Sequence, residues 1–431
     1  MSTEETQPVV CRLPAQATSA SEARGLVRRL LHDAGRDDLG DPAELLVSEM
    51  VTNALLHAGT PVDLRLSYED GTLLAQVGDG TPHLPSMRRY GSRAGTGRGL
   101  RLLDQMADEW GVTARTGGKT VWFRLSVADK GIDSPADSGP GRSGKGENSL
   151  PPGQLDVELH NMPLLLHAAW QEFAETMLRE FLLVTLDGDD NGASLQVHAR
   201  AMAAIAVLEE HVPRANVAIE ADQLMQDATE PLVSAWVVHL PVTLAVAQDF
   251  DILDRAIDRA IGLAGAGLLL TPPSQPEIQE FRRWVCAQVR QQAAGAAPEG
   301  WSMEREPAAG VYLRLNWDTT VVREASTGRI AADEANRIVA VSLAAAEMLG
   351  YAEPADLIGC RIAAIVPDRF RQAHVAGFTM FLHSGRRPLI DVPVAVPALC
   401  KDGSEVEIEL LVKVHPAGPG KRVFVADLRP V

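Results

Sequence analysis

The chain has 431 residues, 46% hydrophobic and 23% charged, so we expect about three globular domains rather than a disordered chain. Its net charge of -17 excludes a broadly basic surface, and we therefore expect no nucleic-acid partner. The four cysteines lie far apart with no C-x-x-C pair, which argues against a disulfide framework or a zinc knuckle and favours a reducing compartment.

The chain has no recognisable targeting or membrane segment. Its first residues, MSTEETQPVV, lack the basic start and apolar core of a signal peptide. The longest apolar stretch, residues 235–247, is interrupted by His239 and Pro241 and falls short of the roughly 20 residues of a membrane span. We therefore expect a cytoplasmic protein with no membrane partner.

Two changes in composition divide the chain into modules. Residues 128–153 are rich in Gly, Ser, Pro and Asp and nearly lack large apolar side chains, which is typical of a flexible linker. A weaker break begins at residue 293 and predicts a second linker, 293–326. The resulting modules are 1–127, 154–292 and 327–431, and we find no internal repeat among them.

The first module alternates helical and strand patterns. Ser19 or Ser21 can cap a first helix, and Asp41 with Pro42 is typical of the start of a second helix that ends at Gly59. Turn residues at 69–71 and 117–118 predict two hairpins. The expected elements are strand 9–13, helices 19–31, 41–57 and 99–109, and strands 62–68, 72–79, 111–116 and 119–127. This order predicts an α/β sandwich, one sheet beneath a layer of helices.

The other two modules differ from the first. Helical periodicity over 167–186, 199–208, 251–263 and 276–292 predicts an all-α middle module. The third module has strand patterns at 337–342, 391–400, 404–414 and 422–428, with helices at 344–349 and 369–383. It is predicted to be an antiparallel sheet with short helices, which makes the whole chain a multidomain α+β protein.

Three polar residues follow one face of the second helix. Glu49, Asn53 and His57 are spaced four residues apart, so they lie roughly one above the other. A carboxylate and a carboxamide one turn apart suit phosphoryl transfer, because the amide oxygen can bind Mg²⁺ while the carboxylate accepts a proton. A solvated polar face explains the same spacing, and for His57 a structural hydrogen bond at the helix end is the simpler interpretation.

Two further motifs lie downstream. Asp79 ends a strand before a Gly/Pro turn, where its carboxylate can accept a hydrogen bond from an adenine amino group. Gly95, Gly97 and Gly99 then precede a helix, and glycines let the backbone approach phosphates at a helix N-terminus. Lys119, at the start of the last strand, is interpreted as a turn cation.

The ordered set of motifs resembles the Bergerat-type (GHKL) ATP-binding fold, and within it the serine kinases that act as bacterial anti-sigma factors. The resemblance spans residues 9–126, including SEMVTNALLHAG, GTGRGLRLLDQMADEWGV and GKTVWFRL. It implies that ATP and Mg²⁺ bind here, with Glu49 as catalytic base, Asn53 as the Mg²⁺ ligand and Asp79 as the adenine reader. The remaining nucleotide-binding positions implied by the resemblance are Gly95, Gly97, Gly99 and Leu100 at the phosphates and Thr120 near the adenine.

Two points qualify this resemblance. Thr81 stands where the family commonly has the glycine of an Asp-x-Gly motif, which bears on nucleotide affinity more than on the fold. Histidine kinases share the ATP-binding fold but carry their phosphoacceptor histidine on a helix that precedes it. Here His32 lies inside the module, which argues against that class.

Residues 327–431 resemble a PAS domain, through DEANRIVAVSLAAAEMLGYAEPADLIGCRIAAIVP, KDGSEVEIELLV and FVADL. Ser342 replaces an asparagine common after the first core strand. Cys360 lacks the Asn-Cys-Arg context of flavin photosensors, and His374 is better interpreted as an ordinary histidine than as a haem ligand.

These observations predict a signalling regulator that transfers the γ-phosphate of ATP to Ser or Thr of a partner, modulated by the PAS module. The partner is expected to be an anti-anti-sigma antagonist, a sigma factor or both, and the chain is expected to form a homodimer. The alternative is a switch without enzymatic activity, which binds ATP to sequester its partner.

Overall fold

The computed structural model describes residues 7–16, 18–80, 98–115, 118–126, 153–186, 192–215, 228–229, 233–303, 317–384, 389–418 and 421–431. The chain divides into two compact units. The first comprises Met1–Gln154, Phe181–Ala206 and Thr243–Ala256, and the second comprises Leu155–Glu180, Val207–Val242 and Ile257–Val431. The expected linker 128–153 falls almost wholly outside the described residues.

An antiparallel sheet forms the base of the N-terminal domain. Its described strands are β1 (Val9–Leu13), β2 (Val62–Glu69), β3 (Thr72–Asp79), β4 (Glu109–Arg115) and β5 (Gly118–Ser126), in the order β1-β2-β3-β5-β4. Both predicted hairpins are present, and Asp70 and Gly71 take the positive φ angles that the β2–β3 turn requires. Along β2, Val62, Leu64 and Leu66 are buried and alternate with exposed residues, so one face of the sheet packs against the core.

Three helices cover that face: α1 (Ser19–Asp33), α2 (Gly40–Ala58) and α3 (Arg98–Met106). Helix α2 packs against α1, α3 and β3, and its buried residues join those of the sheet in one core. The expected N-cap at Asp41 is wrong, because a 3₁₀ turn over Asp37–Leu39 runs directly into α2 and leaves no extended residue before it. The expected end at Gly59 is confirmed by its left-handed φ of 59°.

The middle module is not all-α. It contains β6 (Gln154–Pro163) and β7 (Ser234–Thr243), which pair as a two-stranded sheet, besides α4 (Leu164–Leu186), α5 (Ala193–His211), α6 (Leu244–Gly265) and α7 (Pro276–Ala293). Each strand continues into the next helix without a turn, so no turn residues mark the change from strand periodicity to helix periodicity.

The same elements also correct the expectation that the chain lacks repeats. In the described part of the module, a ten-residue strand, a helix of 23 residues and a helix of 19 are followed by a ten-residue strand and helices of 22 and 18. The repetition lies in the order and length of the elements. None of the helices in the described residues is long and apolar enough to cross a membrane.

The C-terminal module is an antiparallel sheet, as expected. Its described strands are β8 (Gly328–Ala332), β9 (Ile338–Val341), β10 (Val394–Leu399), β11 (Glu405–Pro416) and β12 (Arg422–Pro430), in the order β10-β11-β12-β8-β9. A short helix, α8 (Thr320–Arg323), precedes the sheet, and α9 (Leu343–Met348) and α10 (Asp368–Ser384) lie between β9 and β10. Strand β8 was not predicted, because its five residues include only one β-branched side chain.

Ser342 joins this sheet to α9. Its side chain is fully buried, accepts hydrogen bonds from the backbone N–H groups of Arg329 (2.8 Å) and Ala345 (3.2 Å), and donates to the carbonyl of Thr327 (2.9 Å). One hydroxyl therefore caps the helix and fixes the segment before β8. This role explains why serine is well suited to position 342, where the PAS domains that this module resembles commonly have asparagine.

We predict that Ser342→Ala lowers the free energy of unfolding of the C-terminal module by roughly 2 kcal/mol, because the buried N–H of Ala345, the half-buried N–H of Arg329 and the carbonyl of Thr327 all lose the same partner. Urea denaturation of the full chain measures this loss. Ser404→Ala is the matched control, since Ser404 is exposed and its hydroxyl bonds only to Asp402 in the β10–β11 turn. Equal stability of the two variants would contradict the capping role.

Candidate functional site

Helix α2 presents the expected polar face. Glu49 and Asn53 are half-buried and His57 is exposed, while the opposite side of the helix is buried in the core. Because α2 packs against both β3 and α3, its half-buried side chains lie near the elements that carry the other expected site residues. The amphipathic pattern of the helix, with Leu46, Val47, Met50 and Ala54 facing inward, fixes this orientation.

Asp79 ends β3, as predicted, and it is buried. Its direct cross-strand neighbour on β5 is Lys119, whose ammonium nitrogen lies 3.2 Å from Oδ1 and 3.0 Å from Oδ2 of the carboxylate. Only 3% of the Asp79 side chain and 7% of the Lys119 side chain are exposed. Burial lowers the pKa of Lys119 below its usual value, while the negative charge of Asp79 opposes the shift.

The interpretation of Lys119 as a turn cation is therefore wrong. The residue lies within β5, and its side chain turns inward to the carboxylate proposed to read the nucleotide base. Sequence reasoning missed the pair because the two residues are 40 positions apart and meet only through the β3–β5 register. The available signal was that two ionisable residues of opposite charge lie at the ends of two strands of the same predicted sheet.

Glycines allow the backbone around Asp79 to pack closely. A Cβ on Gly118 would lie 2.1 Å from the carbonyl oxygen of Asp79, a distance that no side chain tolerates. The N–H of Gly80 donates to the hydroxyl of Thr60 (3.1 Å), which follows α2. The end of α2 and the end of β3 are thus joined directly.

Only some of the remaining predicted nucleotide-binding residues lie within the described part of the chain. Gly95 and Gly97, like Thr81, lie outside the described residues. Gly99 and Leu100 fall in the first turn of α3, the end of a helix whose N–H groups are free of intrahelical partners. Thr120 is half-buried on β5, opposite Gly78 of β3 and Thr113 of β4, one residue beyond the ion pair.

The two candidate residues of the C-terminal module, His374 and Cys360, make hydrogen-bond contacts with neighbouring residues. His374 is half-buried beside the side-chain amide of Asn336, with 2.7 Å between Nε2 and Nδ2. Burial, with a smaller contribution from the charge of Arg361, lowers the pKa of His374 to about 4, so the ring is neutral near pH 7. The Cys360 thiol is half-buried and donates to the carbonyl of Asp356 at 3.5 Å.

We predict that Lys119→Met destabilises the N-terminal domain by about 3–5 kcal/mol, because a buried carboxylate loses the cation that faces it. The double variant Asp79→Asn/Lys119→Met recovers much of this loss. Arg12→Ala is the control, since Arg12 and Asp63 form an exposed ion pair in the same sheet and contribute little. Unfolding in urea compares all four proteins, and a Lys119→Met variant as stable as Arg12→Ala would contradict the buried pair.

Comparisons with known proteins agree with the N-terminal fold. Residues 13–125 match the family model described as histidine kinase-like ATPase domain. No curated protein matches the chain.

Among solved structures, the RsbU and RsbW domains of Rv1364c from Mycobacterium tuberculosis align at 22% identity and a TM-score of 0.23, covering 28% of this chain and 32% of that one. The PAS domain of an HTR-like protein from Haloarcula marismortui aligns at 17% identity and a TM-score of 0.20, covering 26% of this chain and 88% of that one. The chain thus spans about a third of the length of the first of these structures. By its family match and its sheet-and-helix fold, the segment 13–125 of this chain is similar to a histidine kinase-like ATPase domain.

Proposed function

We propose that the chain is a signalling regulator that binds ATP with Mg²⁺ and phosphorylates Ser or Thr of a partner protein of the anti-anti-sigma type. The observation that carries the proposal is the half-buried pair Glu49 and Asn53, on a helix that packs against the strand ending in Asp79. The match of residues 13–125 to an ATPase family supports the nucleotide.

In the proposed reaction, the hydroxyl oxygen of the partner attacks the γ-phosphorus of ATP. A new O–P bond forms, the bond between the γ-phosphorus and the bridging oxygen breaks, and ADP leaves with that oxygen. Glu49 accepts the proton of the hydroxyl. Its half-buried position suits this role, since the carboxylate remains reachable from one side while α2 holds it in place.

Asn53 would hold the Mg²⁺ ion through its amide oxygen. Amide and carboxylate oxygens are the ligands that Mg²⁺ prefers, so the residues present fit the ion. When bound, the metal neutralises phosphate charge. Gly95, Gly97, Gly99 and Leu100 would surround the phosphates, with the free N–H groups at the start of α3 as donors.

Asp79 would accept a hydrogen bond from the adenine amino group, with Thr120 beside it. A carboxylate has about four lone-pair directions on its two oxygens, so the contact with Lys119 leaves acceptor capacity for the base. Lys119 would hold the carboxylate in its orientation. It would also offer a donor to an acceptor nitrogen of the ring.

One observation favours the second candidate, a switch that binds ATP only to sequester a partner. The carboxylate of Asp79 already has an internal cation, so nucleotide must compete with or share this buried contact. A site that binds ATP with reduced affinity and transfers its phosphate slowly can still hold the domain in one conformation. Transfer of the γ-phosphate separates the two candidates.

We further propose that the C-terminal module is a PAS-type sensor that acts through the second compact unit. Within that unit, the side-chain oxygen of Gln372 on α10 accepts a hydrogen bond from the N–H of Leu165 (2.9 Å), at the start of α4. Arg361 donates to the side-chain oxygen of Gln275 (2.9 Å), just before α7. These contacts connect the C-terminal module to the start of α4 and to the residue before α7 in the middle module. The regulator is proposed to work in the cytoplasm as a homodimer.

We predict that Glu49→Gln binds ATP normally but transfers phosphate about 10²–10⁴-fold more slowly, because a carboxamide cannot accept the proton. Transfer from γ-labelled ATP to candidate partner proteins is the measurement. Glu44→Gln is the control and should keep normal transfer, because Glu44 lies on the same helix as Glu49 but pairs with Arg28 of α1. Wild-type transfer by Glu49→Gln would remove Glu49 as the base. Absence of transfer from the wild type, with ATP still bound, would favour the switch.

We also predict that Asn53→Ala loses the Mg²⁺-dependent part of ATP affinity, a weakening of about tenfold or more, while the domain stays folded. The apolar face of α2 does not include this side chain, so the core is unchanged. Calorimetric titration with and without Mg²⁺ measures the effect, and Thr52→Ala, an exposed neighbour on α2, serves as the control. Unchanged affinity in Asn53→Ala would exclude it as the metal ligand.

A further inference from the structure

A cluster of metal-ligating side chains lies on the two-stranded sheet of the middle module, away from the proposed nucleotide site in sequence. Asp156 and Glu158 on β6 and His239 on β7 each place one ligand atom within 4.8 Å of the others. Along β6, Val157 and Leu159 are buried, so Asp156, Glu158 and His160 share the opposite, outward face. On β7, His239 is exposed between the buried Val238 and Leu240.

The imidazoles already contact the carboxylates. Nδ1 of His239 lies 2.8 Å from Oδ2 of Asp156, and Nε2 of His160 lies 2.8 Å from Oε2 of Glu158. Surface ion pairs of this kind contribute little stability by themselves. Two carboxylates and an imidazole with ligand atoms within 4.8 Å of one another are a suitable set of donors for a divalent cation, which would also relieve the repulsion between the carboxylates.

The backbone holds these residues in place. The N–H of Glu158 donates to the side-chain oxygen of Gln292 (2.9 Å), whose amide nitrogen donates back to the Glu158 carbonyl (2.8 Å). The carbonyl of His160 accepts from the N–H of Trp301 (2.9 Å). Strand β6 is therefore fixed by α7 and by the segment that follows it, and ligands on such a strand stay close to their binding geometry.

The strand register brings the third ligand into the group. The N–H of Leu164, just after β6, donates to the carbonyl of Val233, just before β7 (2.8 Å), while Asp156 near the start of β6 contacts His239 further along β7. The two strands therefore run antiparallel. Residues 83 positions apart thus meet on one face of this sheet. Each lies on the strand that begins one of the two repeats, and each repeat consists of a strand and two helices.

We propose that Asp156, Glu158 and His239 bind a divalent transition-metal ion such as Zn²⁺ or Mn²⁺, with water completing its coordination. The imidazole ligand favours these ions over Mg²⁺ and Ca²⁺, which prefer oxygen ligands alone. His160 is a positioning residue that orients Glu158 through its hydrogen bond. The bound ion links β6 to β7 and so joins the two repeats, which makes the middle module responsive to metal.

The test uses the full chain, stripped of metal with a chelator and kept free of nucleotide so that the proposed Mg²⁺ site stays out of the measurement. Co²⁺ serves as a spectroscopic probe, and Zn²⁺ is titrated by calorimetry. We expect one ion per chain bound at this site, visible Co²⁺ absorption bands that Zn²⁺ abolishes by displacement, and a raised melting temperature with Zn²⁺.

His239→Ala should weaken binding about 10–100-fold and remove the thermal shift, and Asp156→Asn, which keeps the shape of the side chain, should do the same. His160→Gln should weaken binding less and preserve the Co²⁺ spectrum. The matched control is His32→Ala, which removes an exposed histidine that also contacts a carboxylate, Asp37 at 3.2 Å, but has no third ligand among the described residues. Absence of binding in the wild type, or equal binding by wild type, His239→Ala and Asp156→Asn, would overturn the proposal.

Discussion

The N-terminal domain depends on the buried ion pair between Asp79 and Lys119, which sits where two strands end and the proposed nucleotide site begins. Burying two charges away from water costs free energy unless the charges face each other. The register of β3 against β5 places them opposite each other, and their attraction in turn favours that register. Gly118 lets the strands approach at this point, and Thr60 joins the end of α2 to the residue after Asp79. The position of Glu49 and Asn53 relative to Asp79 therefore follows from a few contacts in a small region.

The same pair gives the proposed site an unusual chemical character. A carboxylate that reads a base is ordinarily an acceptor alone, whereas here a donor lies within 3.2 Å of it. In the proposed function, the combination would recognise a base that presents an amino group next to a ring nitrogen, and base binding would be sensitive to any change that separates β3 from β5. The second compact unit is organised differently: side-chain hydrogen bonds from Gln372 and Arg361 connect the C-terminal module to the helices of the middle module.

Much of this could be predicted from the sequence, and the exceptions have physical reasons. The hairpins followed from Asp-Gly and Gly-Gly turns, and α2 followed from its apolar stripe and the left-handed glycine at its end. Strands β6 and β7 were missed because each runs without a turn into a longer helix whose periodicity dominated the pattern. The partner of Asp79 was missed because a cross-strand contact depends on register, which neither residue reveals alone. Gly95 and Gly97 lie outside the described residues, so their role at the phosphates stays a prediction from the sequence.

We propose above that the segment 13–125, which matches an ATPase family, binds ATP through the region around Asp79. Calorimetric titration of the full chain with ATP and then with GTP, each with Mg²⁺, tests it most directly, because the two nucleotides share their phosphates and differ only in the base. The account predicts saturable binding of one ATP per chain and much weaker binding of GTP. Absence of ATP binding, or equal affinity for both nucleotides, would contradict it.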